Sequence, residues 1–473
     1  MKYIGPFLRI NKLKKENVQH QLYYLAKESL KQIILHSKCG VTTSVKELKI
    51  NNIPNFDINT FKNLSPLLCI YKKANPQLIN MDNKLCWNED KFKKEINIDS
   101  NSLMTLCLLE LCDYYDYFKN IDVNKYALRK VYLSLCKKQL EFYASYLRNE
   151  EGVFIDKKDE SDIYTGDIKF LEKNKKFKFS SQAFLMAAYY KCADLSNDED
   201  KDNYKNFSLD ILNMFLQFKD ELYELSDEEL TKLCLGLNVF YSYSKNQHCK
   251  SLLLDLSELL HDKSNNDTSF SQCDLECQCI KYINYILLYK NTEIIKFKTI
   301  AENICSSILD LYDPEKGIFI KNSDTRDIQF SCLEISLYIV VCLIHSNINK
   351  NEDKSDLIIL DVFKRQLIDS GIILSWPEAP GLNDVERYVN FSLKSEDLID
   401  EQDFRMSSLP IPENCELASV FTKYVTYNKR KETFKLDKLS FDTYKNMFIF
   451  FIITHIFKPK NTIDRDIEIK INF

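Results

Sequence analysis

From about residue 100 onward, two kinds of helical stretch alternate along the chain. One kind is apolar nearly all round: Ser102–Phe118, Ser181–Leu195, Asp227–Tyr243, Ser271–Tyr289, Ser331–His345 and Asn414–Tyr427. A helix without a polar face must be surrounded by protein, so these predict six inner helices. The other kind is amphipathic. In Tyr204–Phe218 the residues Phe207, Ile211, Phe215 and Phe218 draw one stripe, with Lys205, Asp210 and Asn213 on the opposite face. Lys125–Arg148, Cys249–His261, Ile294–Tyr312, Asp356–Ser370 and Phe441–Phe457 read the same way, although the last is much greasier. Each predicts an outer helix that covers the inner one before it.

The punctuation agrees with this pairing. Three covering segments end in glycine and a short β-prone stretch: Gly152-Val153-Phe154, Gly317-Ile318-Phe319 and Gly371-Ile372-Ile373, with Cys39-Gly40-Val41 after the Lys14–Lys38 helix as a fourth. Glycine after a helix adopts the left-handed conformation that ends it. Ser226-x-x-Glu229 and Ser331-x-x-Glu334 open inner helices as capping boxes. The inner segments start at 102, 181, 227, 271, 331 and 414, too unevenly for a stacked solenoid, which needs a nearly fixed period. A closed ring tolerates such long rim connections.

Six inner and six outer helices in alternation, with glycine–aromatic returns after the outer ones, resemble the (α/α)6 toroid of six-hairpin glycosidases, polysaccharide lyases and related barrels. The resemblance covers roughly residues 100–457 and predicts an all-α fold. It implies a functional cleft at the rim where the inner helices begin, gathering the connections 149–180, 313–330 and 371–413. The implied organisation is an N-terminal extension packed on the ring (1–100), a toroid domain (101–460) and a short C-terminal tail (461–473), with the 14–38 helix available as an extra outer helix.

Composition narrows the reading. Only 8 glycines and 10 prolines in 473 residues exclude a fold built of many tight turns. With 64 basic against 69 acidic residues there is no basic field for nucleic acid, which is not expected as a partner. The sixteen cysteines are scattered, many within apolar helical stretches, which reads as buried thiols in a reducing, cytoplasmic setting. The amino terminus, interrupted by Arg9, is not a secretory signal. The most apolar run, Met447–Phe457, is far short of the ~20 residues of a bilayer crossing, so it reads as a buried core helix and no transmembrane segment is expected.

Candidate chemistry concentrates in the 371–413 connection, which holds four of the prolines and one of the two tryptophans. Long rigid connections are commonly functional. Here Glu378, Asp384 and Glu386 are candidate catalytic carboxylates, Arg387 and Arg405 candidate anion clamps, and Trp376 and Tyr388 candidate platforms for a sugar ring. The plain alternative is a lid that seals one end of the ring, with Trp376 filling it. Asp324, Arg326 and Asp327 precede an inner helix and are placed on the same rim as further substrate-binding residues; a helix cap with a surface ion pair explains them equally well. Asp274, Glu276, Glu334 and Glu416 lie near starts of inner helices, where a carboxylate also complements the helix dipole.

No metal or cofactor is expected. Asp156–Asp162 and Asn197–Asp202 lack calcium-loop spacing, and Cys273, Cys277 and Cys279 cannot converge from one helix. The motifs HExxH, GxSxG and GxGxxG and a phosphate-cradling loop are all lacking. The expected function is that of a carbohydrate-active protein that binds or hydrolyses an oligosaccharide in the rim cleft. The alternative is a non-catalytic scaffold docking a protein partner through an exposed apolar patch near Phe448, Phe451 and Phe457.

Overall fold

The computed structural model describes residues 13–458 apart from 49, 51–63, 82–83, 162–168, 174–175, 198, 267–274, 322–324 and 350–352. The expected tail at 461–473 and the candidates Asp274 and Asp324 lie outside the described residues.

Twelve helices carry the fold: α1 (Lys15–His36), α2 (Ile98–Asp116), α3 (Val123–Tyr146), α4 (Phe179–Leu195), α5 (Lys201–Gln217), α6 (Asp227–Ser244), α7 (Gln247–Asn266), α8 (Leu275–Thr292), α9 (Ile295–Leu309), α10 (Cys332–Ile348), α11 (Asp353–Val362, continued by a π-turn Phe363–Ile368) and α12 (Thr443–Ile456). The even-numbered helices touch in the order α2, α4, α6, α8, α10, α12, and α12 touches α2 again. The inner ring is therefore closed, and each inner helix is backed by an odd-numbered neighbour. This is an (α/α)6 toroid.

One pair departs from the expected assignment. The segment Asn414–Tyr427 is not an inner helix. It holds the end of a four-residue helical turn, Pro412–Cys415, and runs into a strand of the antiparallel ladder β1 (Asp327–Ser331), β2 (Tyr424–Asn428), β3 (Thr433–Leu436). The sixth inner helix is α12, the segment expected outside, and its outer partner is α1 from the amino-terminal region, wedged against α12 and α11. The reason is in the side chains: α12 is apolar all round, and Phe448, Phe451 and Phe457 are buried. No exposed patch is left there for the docking that the scaffold alternative required.

The returns behave as their glycines predict at three places: Gly152, Gly317 and Gly371 all have positive φ. At the fourth, Lys38 takes the left-handed conformation, and Gly40 is needed for space, since a Cβ there would lie 1.8 Å from the Cys69 carbonyl oxygen. Side-chain amides then fasten the returns to the ring. Gln182, the fourth residue of α4, accepts from the Phe154 N–H (3.2 Å) and donates to its carbonyl (2.8 Å). Asn101 of α2 does the same with Ile70, Asn446 of α12 with Phe421, and Gln366 of the π-turn with Phe319. Each amide completes one backbone donor and one acceptor that burial would otherwise leave unpaired.

The ring has no open axis among the described residues. Phe184 of α4 meets Phe451 of α12 at 6.2 Å, and α6 and α12, which face each other across the ring, touch at both rims. Lys232 lies 5.3 Å over the Tyr444 ring at one end, and Tyr243 meets His455 at the other.

Candidate functional site

The inner helices run parallel, so the starts of all six share one rim and their ends share the other. At the starting rim, side chains from neighbouring helices bond in sequence. Asp99 of α2 accepts from the Ser181 hydroxyl of α4 and from Lys178 (2.7 Å). Glu229 of α6 accepts from the Ser180 N–H (2.8 Å) and hydroxyl (3.0 Å). Glu276 of α8 accepts from the Ser331 hydroxyl, which caps α10, and from Lys445 of α12 (2.6 Å). Glu334 completes the capping box with the Ser331 N–H (2.7 Å) and takes a bond from Lys321 (2.6 Å). The box expected at Ser226 is only half formed: Ser226 receives the Glu229 N–H, but the Glu229 carboxylate is turned to α4.

Tyr444 of α12 occupies the middle of this rim. Its hydroxyl oxygen is buried and has no hydrogen-bond partner among the described residues. Burial, then the negative charges of Asp99, Glu276 and Glu228, hold its pKa well above the ordinary phenol value, so the hydroxyl stays a donor. Around it Lys232 bonds Glu228 (2.6 Å), and Lys423 and Lys445 lie 4.8 and 5.8 Å over the Tyr424 ring. Burial also raises the pKa of Glu334, an effect that Lys321 opposes and neighbouring Glu276 reinforces. Burial works against the charge of Lys445, but Glu276 outweighs it and holds the ammonium protonated. The result is a rim of four acid–lysine pairs with one buried donor that has no acceptor among the described residues.

The candidates in the long connection gather elsewhere. Residues 376–405 form a strap that runs over α1 and reaches the rim where the inner helices end. Glu386 is buried and accepts from Lys27 of α1 (2.5 Å), Lys125 of α3 (2.5 Å) and the Tyr114 hydroxyl of α2. Burial alone would raise its pKa, but the two ammonium groups outweigh that and hold the carboxyl well below the ordinary range. A carboxylate so saturated neither takes nor gives a proton near neutrality. Asp384 joins it at Lys125 (3.0 Å). Glu378 is exposed and contributes its carbonyl to the Tyr24 hydroxyl.

The remaining strap candidates pack inward. Trp376 is fully buried and donates its indole N–H to the Phe404 carbonyl (2.9 Å), so its ring faces no ligand. Arg387 lies 5.3 Å over the Phe404 ring, the Tyr388 hydroxyl donates to the Leu382 carbonyl (2.8 Å), and Arg405 bonds the Leu409 carbonyl. The cavity beside Glu386, lined by His20, Tyr23, Tyr24, Lys27, Tyr114 and Phe404 among others, has a volume of about 40 Å³. That is room for water, whereas ligand pockets run to roughly 300 Å³ and more.

Arg326 and Asp327 are exposed at the start of β1, where Asp327 accepts from Asn428. β1 leads directly into the start of α10, so this pair belongs to the starting rim, while Glu386 and Asp384 sit at the opposite one. An inner helix of about 18 residues, roughly 27 Å, separates them. The expected single mouth shared by both groups does not form. Of the helix-start carboxylates, Glu276 and Glu334 are in the starting-rim network, and Glu416 is exposed on the loop before β2. Sequence reasoning passed over Asp99, Lys178, Lys232, Tyr444 and Lys445. The signal available was a polar residue within the first turns of each apolar helix.

Among the described residues no group of three His, Cys, Asp or Glu side chains is placed to hold a metal ion, and no helix is long and apolar enough to cross a membrane.

Comparison with known proteins places the chain in no family. No protein-family model matches the chain, and no curated protein matches it. Solved structures similar to it include a sugar epimerase from a ruminal bacterium (11% identity, 91% of this chain and 98% of that one, TM-score 0.48) and a D-mannose isomerase (10%, 87% and 96%, 0.47). A GH76 α-mannanase of Bacteroides thetaiotaomicron is similar too (10%, 93% and 97%, 0.45).

Proposed function

We propose that this chain binds a carbohydrate on the rim where its inner helices begin. The observation that carries the reading is the buried Tyr444 hydroxyl, a donor with no acceptor among the described residues, near the pairs Asp99–Lys178, Glu228–Lys232 and Glu276–Lys445. Carboxylate–ammonium pairs offer acceptors and donors side by side, which is what vicinal hydroxyls pair with, and an unmet donor favours a ligand oxygen that reaches it. Tyr424 supplies an aromatic face at the same rim. In this reading the ligand contacts come from helix starts, and Glu378, Asp384 and Glu386 hold the strap in place.

Binding is the activity proposed. Hydrolysis would need a carboxyl free to give a proton to a leaving oxygen, and each rim carboxylate named here is already engaged. A cytosolic setting belongs to the same proposal, supported by cysteines buried as thiols in the helices, Cys107, Cys136, Cys234 and Cys342 among them.

The test is a glycan panel followed by titration calorimetry on the best ligand. Tyr444→Phe and Glu276→Gln each weaken binding by about tenfold, the worth of one hydrogen bond to a charged or buried partner. Glu386→Gln leaves affinity unchanged. Absence of any glycan ligand, or Tyr444→Phe binding as tightly as the parent, removes the proposal.

A further inference from the structure

The strap has a second face. Residues 376–405 carry eight acidic side chains against three basic ones, a balance of −5 equal to the net charge of the whole chain. Glu386 is latched inward, but Glu378, Glu396, Asp400 and Glu401 are exposed. Among these acids the strap also exposes Leu382, Leu393 and Leu398. Ile121 of the adjoining α2–α3 turn and Val123 at the start of α3 bring the count to five side chains between 39 and 64% exposed. They are five of the twelve large apolar side chains exposed among the described residues, so exposure is concentrated here. The two groups are neighbours: Phe118 lies 4.6 Å from Phe391 and Lys125 bonds Asp384, which brackets the turn between two strap contacts.

The backbone holds this display at a cost. Asn390, Phe391 and Leu393 all have φ between 53 and 55°, a region that non-glycine residues enter at about 1 kcal/mol or more each. The run plants Phe391 in the core and leaves Leu393 in solvent. Leu398 stands two residues from Glu396 on one side and from Asp400 on the other. Contiguous exposed apolar groups rimmed by charge mark interaction sites, and the sign of the charge selects the partner.

We propose that the outer face of the strap is a docking surface for a protein partner that presents a basic amphipathic helix, its apolar side chains set against Leu382, Leu393 and Leu398 and its lysines or arginines against the acidic rim. A second copy of this chain is disfavoured by the same charge, since acidic faces repel. The surface lies at the opposite rim from the proposed carbohydrate site and does not depend on it.

The probe is a fluorescein-labelled 18-residue helix of leucine and lysine with one apolar face, compared by anisotropy with a scrambled peptide of identical composition. The parent chain binds the amphipathic peptide about tenfold more tightly than the scrambled one, and more weakly at higher salt. Leu382→Ser/Leu393→Ser/Leu398→Ser removes that preference, whereas Glu396→Gln/Asp400→Asn/Glu401→Gln flattens the salt dependence. The leucine side chains face solvent, so circular dichroism and melting of the leucine variants stay at parent values; Leu398→Ser alone serves if the triple variant melts early, with about a threefold loss. Equal affinity for the two peptides, undiminished binding by the leucine variants, or a dimer in sedimentation that Leu398→Ser dissolves would overturn the proposal.

Discussion

Replacing Glu386 by glutamine isolates what the strap carboxylate does. Glutamine keeps the shape but removes the charge that faces Lys27, whose side chain is 2% exposed, and adds an N–H₂ group toward ammonium donors. Removing one partner of a buried ion pair costs about 3–5 kcal/mol, because the other charge stays buried. Lys27 retains Glu28 at 3.0 Å and Lys125 retains Asp384 at 3.0 Å, which places this case near about 3 kcal/mol. For a chain of 473 residues the unfolding entropy is about 1 kcal/mol/K, so the melting point falls only about 3 °C. Hydrogen exchange is the sharper assay. Local opening of the strap becomes about 100-fold more frequent, and amides fixed there, such as the Ile399 N–H on the Arg387 carbonyl, lose that much protection while the inner helices keep theirs.

The sign with pH follows from the depressed pKa of Glu386. The latch is at full strength above the ordinary glutamate range, about pH 4.3, and is lost as pH falls below it toward the folded-state value. The parent strap therefore loses protection in acid, and the glutamine variant, already unlatched, shows no such step. Pairing Glu386→Leu with Lys27→Met restores most of the protection, since apolar replacement of a buried pair is close to neutral. Unchanged exchange in Glu386→Gln, or loss of glycan binding with the strap still protected, refutes the latch.

Two further outcomes follow from the packing. Gln182→Leu strips the Phe154 N–H and carbonyl of their partners and destabilises the chain by about 2–4 kcal/mol in denaturant melts, more than Gln→Leu at an exposed site. Gly236→Ala brings a Cβ to 2.7 Å from that of Ala183 where α6 crosses α4, and costs about 1–3 kcal/mol; pairing it with Ala183→Gly recovers part of the loss.

Periodicity alone makes the ring legible. A helix that is greasy on every side has one place to go, and a two-faced helix covers it, so alternation along the chain becomes inner and outer layers in space. The same rule, applied without regard to order, also settles the sixth pair: the Phe-rich stretch at 447–457 lacks a polar face and belongs inside. Strict alternation concealed this, because it assigned that stretch to the outside by its place in the list and required a helix at 414–427, where β-prone Tyr424–Asn428 pairs with Asp327–Ser331 instead.

Residue types in the 376–405 connection suggest catalytic carboxylates, anion clamps and sugar platforms, with a lid that Trp376 fills as the plain alternative, but they do not indicate where each side chain ends up. Glu386 is 359 residues from Lys27 and 261 from Lys125, and nothing local in the chain indicates that a carboxylate will be saturated by two ammonium groups. The same holds at the starting rim, where Glu276 meets Lys445 across 169 residues. Burial preference is a property each segment carries by itself, so the amino-acid order alone determined the layers. Which charges meet depends on how the ring closes and which end a connection crosses, and only the folded arrangement of distant segments decided that.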